Sequence, residues 1–142
     1  MKRRTKYLLW GLLALWLVAA VGLVQWWPVV NSQARAAHEV FQGFGDSLVA
    51  KQYARAYGYC GRDFHQAISL EQFVRLNEGL ESKYGSLRAV SQATLHTKYT
   101  LKPERWTTEI DANFDYEKTR VPFAFALRQE NGQWVVYGYE QR

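Results

Sequence analysis

The chain has 142 residues, of which 48% are hydrophobic and 15% aromatic. This length and composition allow one domain with a packed core and exclude disorder along the whole chain. Four of the 18 basic residues precede residue 7 (Lys2, Arg3, Arg4 and Lys6), so that 14 basic and 13 acidic side chains remain beyond them, a net charge of +1. Without a basic field on the remainder we predict no nucleic-acid partner. The single cysteine excludes an intrachain disulfide.

An apolar stretch follows the basic N-terminus. Residues 7–24 carry no charged or amide side chain. A helix needs about 20 residues to cross a hydrocarbon core of roughly 30 Å, so we predict a transmembrane helix over residues 7–27, after a cytoplasmic leader at residues 1–6. Amphipathic rings favour the headgroup level of a bilayer. Four such rings mark the two predicted interfaces: Tyr7, Trp10, Trp26 and Trp27.

The charges beside this stretch predict its orientation. Because cations next to a span remain in the cytoplasm, we predict a protein of the inner (cytoplasmic) membrane with its C-terminal domain on the extracytoplasmic, periplasmic side. A cleavable signal peptide is the alternative, since Ala34-Arg35-Ala36 has the small-x-small form that a signal peptidase accepts. The apolar region of a signal peptide usually has only about 7 to 15 residues and is cleaved soon afterwards, so an uncleaved anchor fits better.

Helical patterns come next in the chain. Because Pro28 disfavours a helical conformation at the residue before it, we predict a linker at residues 28–33 and a domain at residues 34–142. A first amphipathic helix is predicted over residues 34–50. Its apolar positions recur at helical spacing: Ala37, Phe41, Phe44 and Leu48.

Two shorter helical segments are predicted after the first helix. One runs from Tyr53 to Tyr57 and is followed by a loop as far as Ile68. The other begins at a capping box, in which Ser69 and Gln72 satisfy each other's backbone N–H groups. Its predicted apolar stripe and its closing glycine are Phe73, Leu76, Leu80, Tyr84 and Gly85.

The chain beyond Gly85 alternates with period two and predicts a four-stranded antiparallel meander. The predicted turns are Lys102-Pro103, Lys118-Thr119 and Asn131-Gly132, of which the last is the strongest hairpin signal. In the second strand the inward positions are Trp106, Thr108, Ile110, Ala112, Phe114 and Tyr116. The residues between them are polar, so one face of the sheet is predicted to be buried and the other wet.

If the turns are short and no strand contains a bulge, counting from the turns predicts which residues lie opposite each other. On the helix-facing side the pairs are Phe114 with Phe123, Ala112 with Phe125, and Ile110 with Leu127. On the other side the pairs join unlike charges: Glu109 with Arg128, Glu109 with His96, and Arg88 with Glu117.

This order of elements resembles a known superfamily. The residues that carry the resemblance are Tyr53-Ala54-Arg55-Ala56-Tyr57, Ile68-Ser69-Leu70-Glu71-Gln72-Phe73 and Tyr84-Gly85-Ser86-Leu87. They resemble the nuclear transport factor 2-like (cystatin-like) superfamily, and more narrowly its small membrane-anchored extracytoplasmic members, over residues 34–142. The resemblance implies an α+β cone, in which helices pack on a curved four-stranded antiparallel sheet. It implies no single function, because the superfamily includes enzymes, binding modules and scaffolds.

Enzymes of that superfamily hold a titratable base inside the cone. None of the inward strand positions predicted here is a carboxylate or an imidazole, so we expect a non-catalytic domain. Glu140, Asp63 and His65 are the exceptions that keep a modest enzyme open as an alternative. Cys60 lies close to Asp63 and His65 in sequence, but a structural zinc ion usually takes four ligands. We therefore predict neither a metal nor a cofactor.

The last two strands suggest a contact surface on the outer face of the sheet. Val135, Tyr137 and Tyr139 are predicted to oppose, in this order, small or basic neighbours: Arg128, Ala126 and Ala124. Bulky rings over small residues would form an apolar patch with a polar rim, which indicates a protein partner or a homodimer.

The sequence therefore predicts a single-pass membrane protein that presents a binding or scaffolding domain, as an accessory or assembly subunit of a membrane complex. The alternative is a small-molecule or lipid binder, or a modest enzyme, that uses an apolar cavity of the cone. The residues predicted to shape that cavity are Trp106, Phe114, Phe125 and Gly138.

Overall fold

A computed structural model describes the backbone of residues 2–101 and 104–142, and the side chains of residues 13–101 and 105–142. The fold class is α+β: a long apolar N-terminal helix precedes short helices and an open four-stranded antiparallel sheet. The internal contacts divide the chain into two compact units, Met1–Ser32 and Gln33–Arg142.

Helix α1 (Lys2–Val49) is continuous over 48 residues and contains Pro28. The predicted break at residues 28–33 is wrong, because these residues are helical. The fixed φ of proline, near −65°, is compatible with a helix, which loses one hydrogen bond there without ending. Among the described residues, Leu13–Val49 is the one helix long and apolar enough to cross a membrane, by length and composition alone.

Two of the predicted interfacial rings can be located in α1. Trp26 and Trp27 are 55% and 71% exposed. Such exposure is compatible with contact with lipid headgroups. The side chains of Tyr7 and Trp10 lie outside the described residues.

Three short helices follow α1: α2 (Tyr53–Gly58), α3 (Arg62–Ala67) and α4 (Leu70–Tyr84). The predicted loop before Ile68 is thus partly wrong, because six of its residues form α3. The capping box of Ser69 and Gln72 is confirmed at the start of α4. Gly85 ends this helix with a φ of 86°, a conformation that favours glycine.

The predicted stripe on α4 is correct at three of its four positions. Phe73 is buried, and Leu80 and Tyr84 pack against the core. Leu76 is exposed, and Asn77 is buried instead. The amide of Asn77 donates a hydrogen bond of 2.8 Å to the carbonyl of Phe73, which satisfies this buried polar side chain within its own helix.

The sheet is a meander of β1 (Leu87–Leu101), β2 (Glu104–Tyr116), β3 (Arg120–Glu130) and β4 (Gln133–Gln141), in the order β1-β2-β3-β4. This topology confirms the prediction. Asn131 and Gly132 both have positive φ angles, 51° and 79°, as expected for a two-residue hairpin turn. The turn predicted at Lys102-Pro103 lies outside the described residues.

The faces of β2 are confirmed, whereas its partners in β3 are shifted. Ile110, Ala112 and Phe114 are buried as predicted, but they pair with Phe125, Phe123 and Val121. The turn is centred one residue earlier than predicted, because the N–H of Tyr116 bonds to the carbonyl of Thr119. A shift of the turn by one residue moves every pair by two, which keeps each side chain on its predicted face.

The core lies between α1 and the inner face of the sheet. Phe41 and Phe44 of α1 meet Phe125 at ring distances of 5.2 and 5.7 Å, and Leu48 continues the same buried face. Gly45 permits close contact between helix and sheet, because a Cβ atom there would lie 3.1 Å from Cβ of Val90. A glycine that lowers the helix propensity thus allows helix and sheet to pack closely here.

Candidate functional site

Most of the residues predicted to bind a partner lie on the outer face of the sheet. On the inner face, β2 and β3 alternate buried apolar residues, whereas no described outer-face side chain of these two strands is buried. Several ion pairs cross the outer face, among them Lys98 with Glu109 at 3.2 Å and Arg88 with Glu117 at 3.4 Å. This face is open to water and rich in exposed charge.

Two of the three predicted charge pairs of this face are present. His96 lies opposite Glu109, and Arg88 forms its ion pair with Glu117. The pair of Glu109 with Arg128 is wrong, because Arg128 lies opposite Thr107 and Glu109 opposite Ala126. The cause is the same two-residue shift in the pairing of β2 with β3, because the turn between them is centred one residue earlier than predicted.

A β-bulge in β4 changes the predicted patch. Leu127 pairs with Val136, whereas Ala126 pairs with Gly138, so that Tyr137 is an extra residue in β4. The N–H of Val136 bonds to the carbonyl of Tyr59, and its own carbonyl accepts from the N–H of Gly61. These bonds hold the first half of β4 in place. A glycine inside a strand often marks a bulge, and Gly138 is the sequence signal that could have located this one.

Beyond the bulge, the predicted positions of Gly138 and Tyr139 are exchanged. Gly138 lies on the outer face opposite Ala126, and the prediction that it lines the interior is wrong. Tyr139 turns inward, where its ring stacks on Phe125 at 5.2 Å and approaches Phe44 at 5.8 Å. Burial raises the pKa of the Tyr139 phenol, as expected for a group removed from water. Tyr139 is therefore a core residue and not part of the outer patch.

The remaining outer residues of β3 and β4 form a groove. Its floor consists of small residues, Ala124, Ala126 and Gly138, where a bulkier side chain would fill the space. The cavity volume is about 370 Å³. The polar side chains around it are Glu109, Asp111, Glu140 and Arg142. We call this depression the outer groove.

The outer groove has more acidic than basic groups. The carboxylate of Asp111 pairs with Arg142 at 2.9 Å and accepts a hydrogen bond of 2.8 Å from the Thr94 hydroxyl. Glu109 pairs with Lys98. Glu140 is exposed and, in the part of the chain whose side chains are described, has neither an ion pair nor a side-chain hydrogen bond. An incoming cation would therefore meet an unpaired carboxylate beside a floor without bulky side chains.

Arg128 organises the other end of the outer face. Its guanidinium donates to Asp63 at 2.6 Å and to Glu130, and lies 5.0 Å from the ring centre of Tyr137. Hydrogen bonding to Arg128 lowers the pKa of both carboxyl groups. Val135 lies opposite Arg128, as predicted. Arg128 is thus already paired on this face, and Tyr137 covers it as a 40% exposed ring.

The four residues predicted to shape an apolar cavity do not all meet at one: Phe125 and Gly138 both line the outer groove, whereas Phe114 and Trp106 do not. Phe114 and Phe125 are fully buried and contact each other at 5.7 Å between ring centres. Gly138 is on the outer face, and Trp106 packs against Tyr99 at 5.1 Å near the end of the β1–β2 hairpin. The interior at these positions is filled by aromatic rings.

The residues considered for catalysis or metal binding bond to separate partners. Cys60 is buried, and burial raises its pKa to about 12, which keeps the thiol protonated near neutral pH. Asp63 pairs with Arg128, and His65 donates from Nε2 to the carbonyl of Tyr57 at 2.8 Å. Among the described residues, no group of three or more His, Cys, Asp or Glu is arranged to hold a metal ion.

No family model matches the sequence, and no curated protein is significantly similar to it.

Proposed function

We propose that the protein is a single-pass membrane protein whose domain from about residue 34 onward is a non-catalytic binding or scaffolding module. Its N-terminus lies in the cytoplasm and the domain on the extracytoplasmic, periplasmic side of the inner membrane. The proposal for the anchor is supported by the length and apolar character of α1 and by the cations before it. The domain is proposed to have the nuclear transport factor 2-like, cystatin-like fold, which its order of elements favours.

One observation carries the binding role: the sheet has an open face with a preformed groove of about 370 Å³ and a floor of small residues. A partner segment can approach the backbone of β3 and β4 closely there, because Ala124, Ala126 and Gly138 do not obstruct it. Charged residues surround this floor, as at the polar rims of protein interfaces. The partner best suited to the charge of the groove is a protein segment with a basic side chain, which would pair with Glu140.

Membrane anchoring would strengthen such binding without new contacts. A domain confined to the membrane has a raised effective concentration toward a partner in the same membrane. A weak contact in the outer groove would then suffice to hold an assembly partner. We therefore propose that the protein is an accessory or assembly subunit of a membrane complex.

The alternative predicted from the sequence, a lipid or small-molecule binder or a modest enzyme that uses the cone interior, receives less support. Phe114 and Phe125 occupy the space that a ligand would need. The thiol of Cys60 stays protonated, and Asp63 is paired with Arg128.

Site-specific photocrosslinking of the full-length protein in its native membrane tests the proposed groove. A photoreactive residue at Ala124 lies in the outer groove, whereas the same residue at Ala89 lies on the outer face beside Asp115 and serves as the matched control. We expect a discrete crosslinked product at position 124 and none at position 89. Equal crosslinking at both positions, or none at 124, would contradict binding in the groove.

Two variants of the outer groove test whether the crosslink at position 124 depends on the open floor and on the charge of Glu140. Gly138→Leu fills the floor at a position where an added Cβ meets nothing within 4 Å, and Glu140→Lys reverses the unpaired charge. Both are expected to reduce the product at position 124 while leaving expression and membrane insertion unchanged. A product with twice the mass of the chain would identify a homodimer as the partner.

A further inference from the structure

The end of the β1–β2 hairpin has an exposed apolar face that neither the core nor the outer groove uses. By strand alternation Tyr99, Leu101 and Trp106 share the inner side of the sheet. Leu101 is 72% exposed and Tyr99 is 39% exposed. The opposite side of the same hairpin carries the cations Lys98 and Arg105. The apolar side also includes the position of Glu104, which pairs with Leu101. One side is thus mainly aromatic and aliphatic, and the other carries the two cations.

This hairpin end extends beyond the rest of the sheet. β2 pairs with β3 only as far as Thr107, which lies opposite Arg128. β1 and β2 continue to pair from there up to Leu101 and Glu104, a further three residues of β2, or about 10 Å of strand. The exposed apolar residues therefore lie on a two-stranded projection with water-accessible surfaces.

The contacts of Gln33 show that it lies toward the end of the sheet at which the β1–β2 hairpin projects. The side-chain carbonyl of Gln33 accepts hydrogen bonds from Gln129 at 2.6 Å and from the indole of Trp134 at 3.1 Å. Gln129 is the residue after Arg128 in β3, and Arg128 lies opposite Thr107 of β2. Because the two strands are antiparallel, the step from Arg128 to Gln129 leads toward the same end of the sheet as the step from Thr107 back to Trp106 and the hairpin end. Gln33 and the hairpin end thus lie toward the same end of the sheet.

A short stretch of chain joins Gln33 to the proposed span. Gln33 lies six positions after Trp27, the last residue of the proposed span. Six residues reach at most about 20 Å even when fully extended. Aromatic rings, an exposed leucine and nearby cations are the features that bind a bilayer interface, where rings occupy the headgroup level and cations meet anionic lipids.

We propose that the end of the β1–β2 hairpin is a second membrane contact, in which Tyr99, Leu101 and Trp106 enter the headgroup region of the bilayer. This proposal rests on the proposed membrane anchor. It assigns the hairpin to lipid and leaves the outer groove free for a protein partner. It also limits rotation of the domain about its anchor, because a domain held at two points keeps one face toward the membrane.

The buried cysteine makes a direct test simple. Since burial raises the pKa of Cys60 to about 12, a thiol-reactive label at neutral pH will choose an exposed new cysteine. An environment-sensitive fluorophore is attached to Leu101→Cys or to Lys118→Cys in the full-length protein, reconstituted in vesicles of phosphatidylcholine and phosphatidylglycerol. Lys118 is the control, because it is an exposed turn residue at the opposite end of the sheet.

We expect nitroxide groups on the lipid to quench the label at position 101 several-fold more than the label at position 118, with a blue-shifted emission at 101. Equal quenching at both positions by aqueous iodide would overturn the proposal. Protection from iodide at position 101 without quenching by lipid would also overturn it, because a protein would then cover the hairpin. Flotation with the vesicles separates the two proposals: protein that does not float contradicts the anchor, whereas floating protein without lipid quenching at 101 contradicts the hairpin contact alone.

Discussion

The two faces of the sheet have similar alternation in sequence but very different packing. On the inner face, Phe44, Phe125 and Tyr139 contact one another within 6 Å between ring centres. On the outer face, small side chains and exposed ion pairs leave a groove. The difference shows that the alternation of side chains along a strand assigns residues to faces. Whether a face is filled depends on three-dimensional packing. Substitutions on the two faces should therefore differ in their effect on stability.

The strongest comparison uses two tyrosines that are two residues apart. Tyr139→Ala removes a ring that packs on Phe125 and should lower the free energy of unfolding by about 3 kcal/mol, as for other large aromatic truncations in a core. Tyr137→Ala removes an exposed ring over Arg128 and should cost less than about 1 kcal/mol. Urea unfolding of the full-length protein in detergent, followed by near-ultraviolet circular dichroism, measures both. Equal losses would contradict the bulge.

The second comparison places an added methyl group on each face. Gly45→Ala puts a Cβ atom 3.1 Å from Cβ of Val90 between helix and sheet, and we expect a net loss of about 1 kcal/mol because overpacking exceeds the gain in helix propensity. Gly138→Ala meets nothing within 4 Å on the outer face and should change stability by less than about 0.5 kcal/mol. The same unfolding measurement applies. A stabilised Gly45→Ala variant would show that the inner face has unused space.

The smallest effect concerns charge on the outer face and depends on pH. Because Arg128 lowers the pKa values of Asp63 and Glu130, their contribution to stability is present above the unfolded-state values near 4. That contribution is lost as the pH falls through the lowered folded-state values. Asp63→Asn should therefore be slightly less stable than the parent at pH 7, and the difference should shrink as the solution is acidified below about pH 4.

Thermal unfolding at several pH values, in low and high salt, measures this difference. Asp46→Asn is the control, since Asp46 is exposed and has no ion pair with any other described residue. This variant removes the same charge without removing a partner of Arg128. A difference for Asp63→Asn that grows on acidification would show that the pairing with Arg128 does not stabilise the folded state.

Local signals in the sequence account for much of the fold. The alternation from Thr108 to Tyr116 predicts the buried face of β2, because side chains of a strand point alternately to its two sides. Asn131-Gly132 and the capping box of Ser69 are confirmed for a similar reason: each signal acts through backbone groups within four residues. The location of Ala124, Ala126 and Arg128 on the outer face also follows from the alternation of side chains along β3.

Two of the errors occur where distant parts of the chain meet. The ring of Tyr139 turns inward because bonds from Tyr59 and Gly61 hold Val136 in place and a bulge follows at Tyr137. Helix α3 forms in a stretch that we predicted as a loop, and its Phe64 packs against Phe73 and Tyr139. Neither contact leaves a periodic signal in the local sequence.

Short-range patterns were sufficient to predict the α+β class, the long apolar N-terminal segment, the order of the four strands and the side of the sheet on which each residue of β2 and β3 lies. These properties depend on short-range periodicity and turn chemistry, which a single strand or helix expresses alone. The tertiary structure decided the pairing partners, the bulge that exchanges Gly138 and Tyr139, and hence the outer groove. Those properties depend on which residues fill the interior together, and close packing of rings from several elements cannot be read from any one of them.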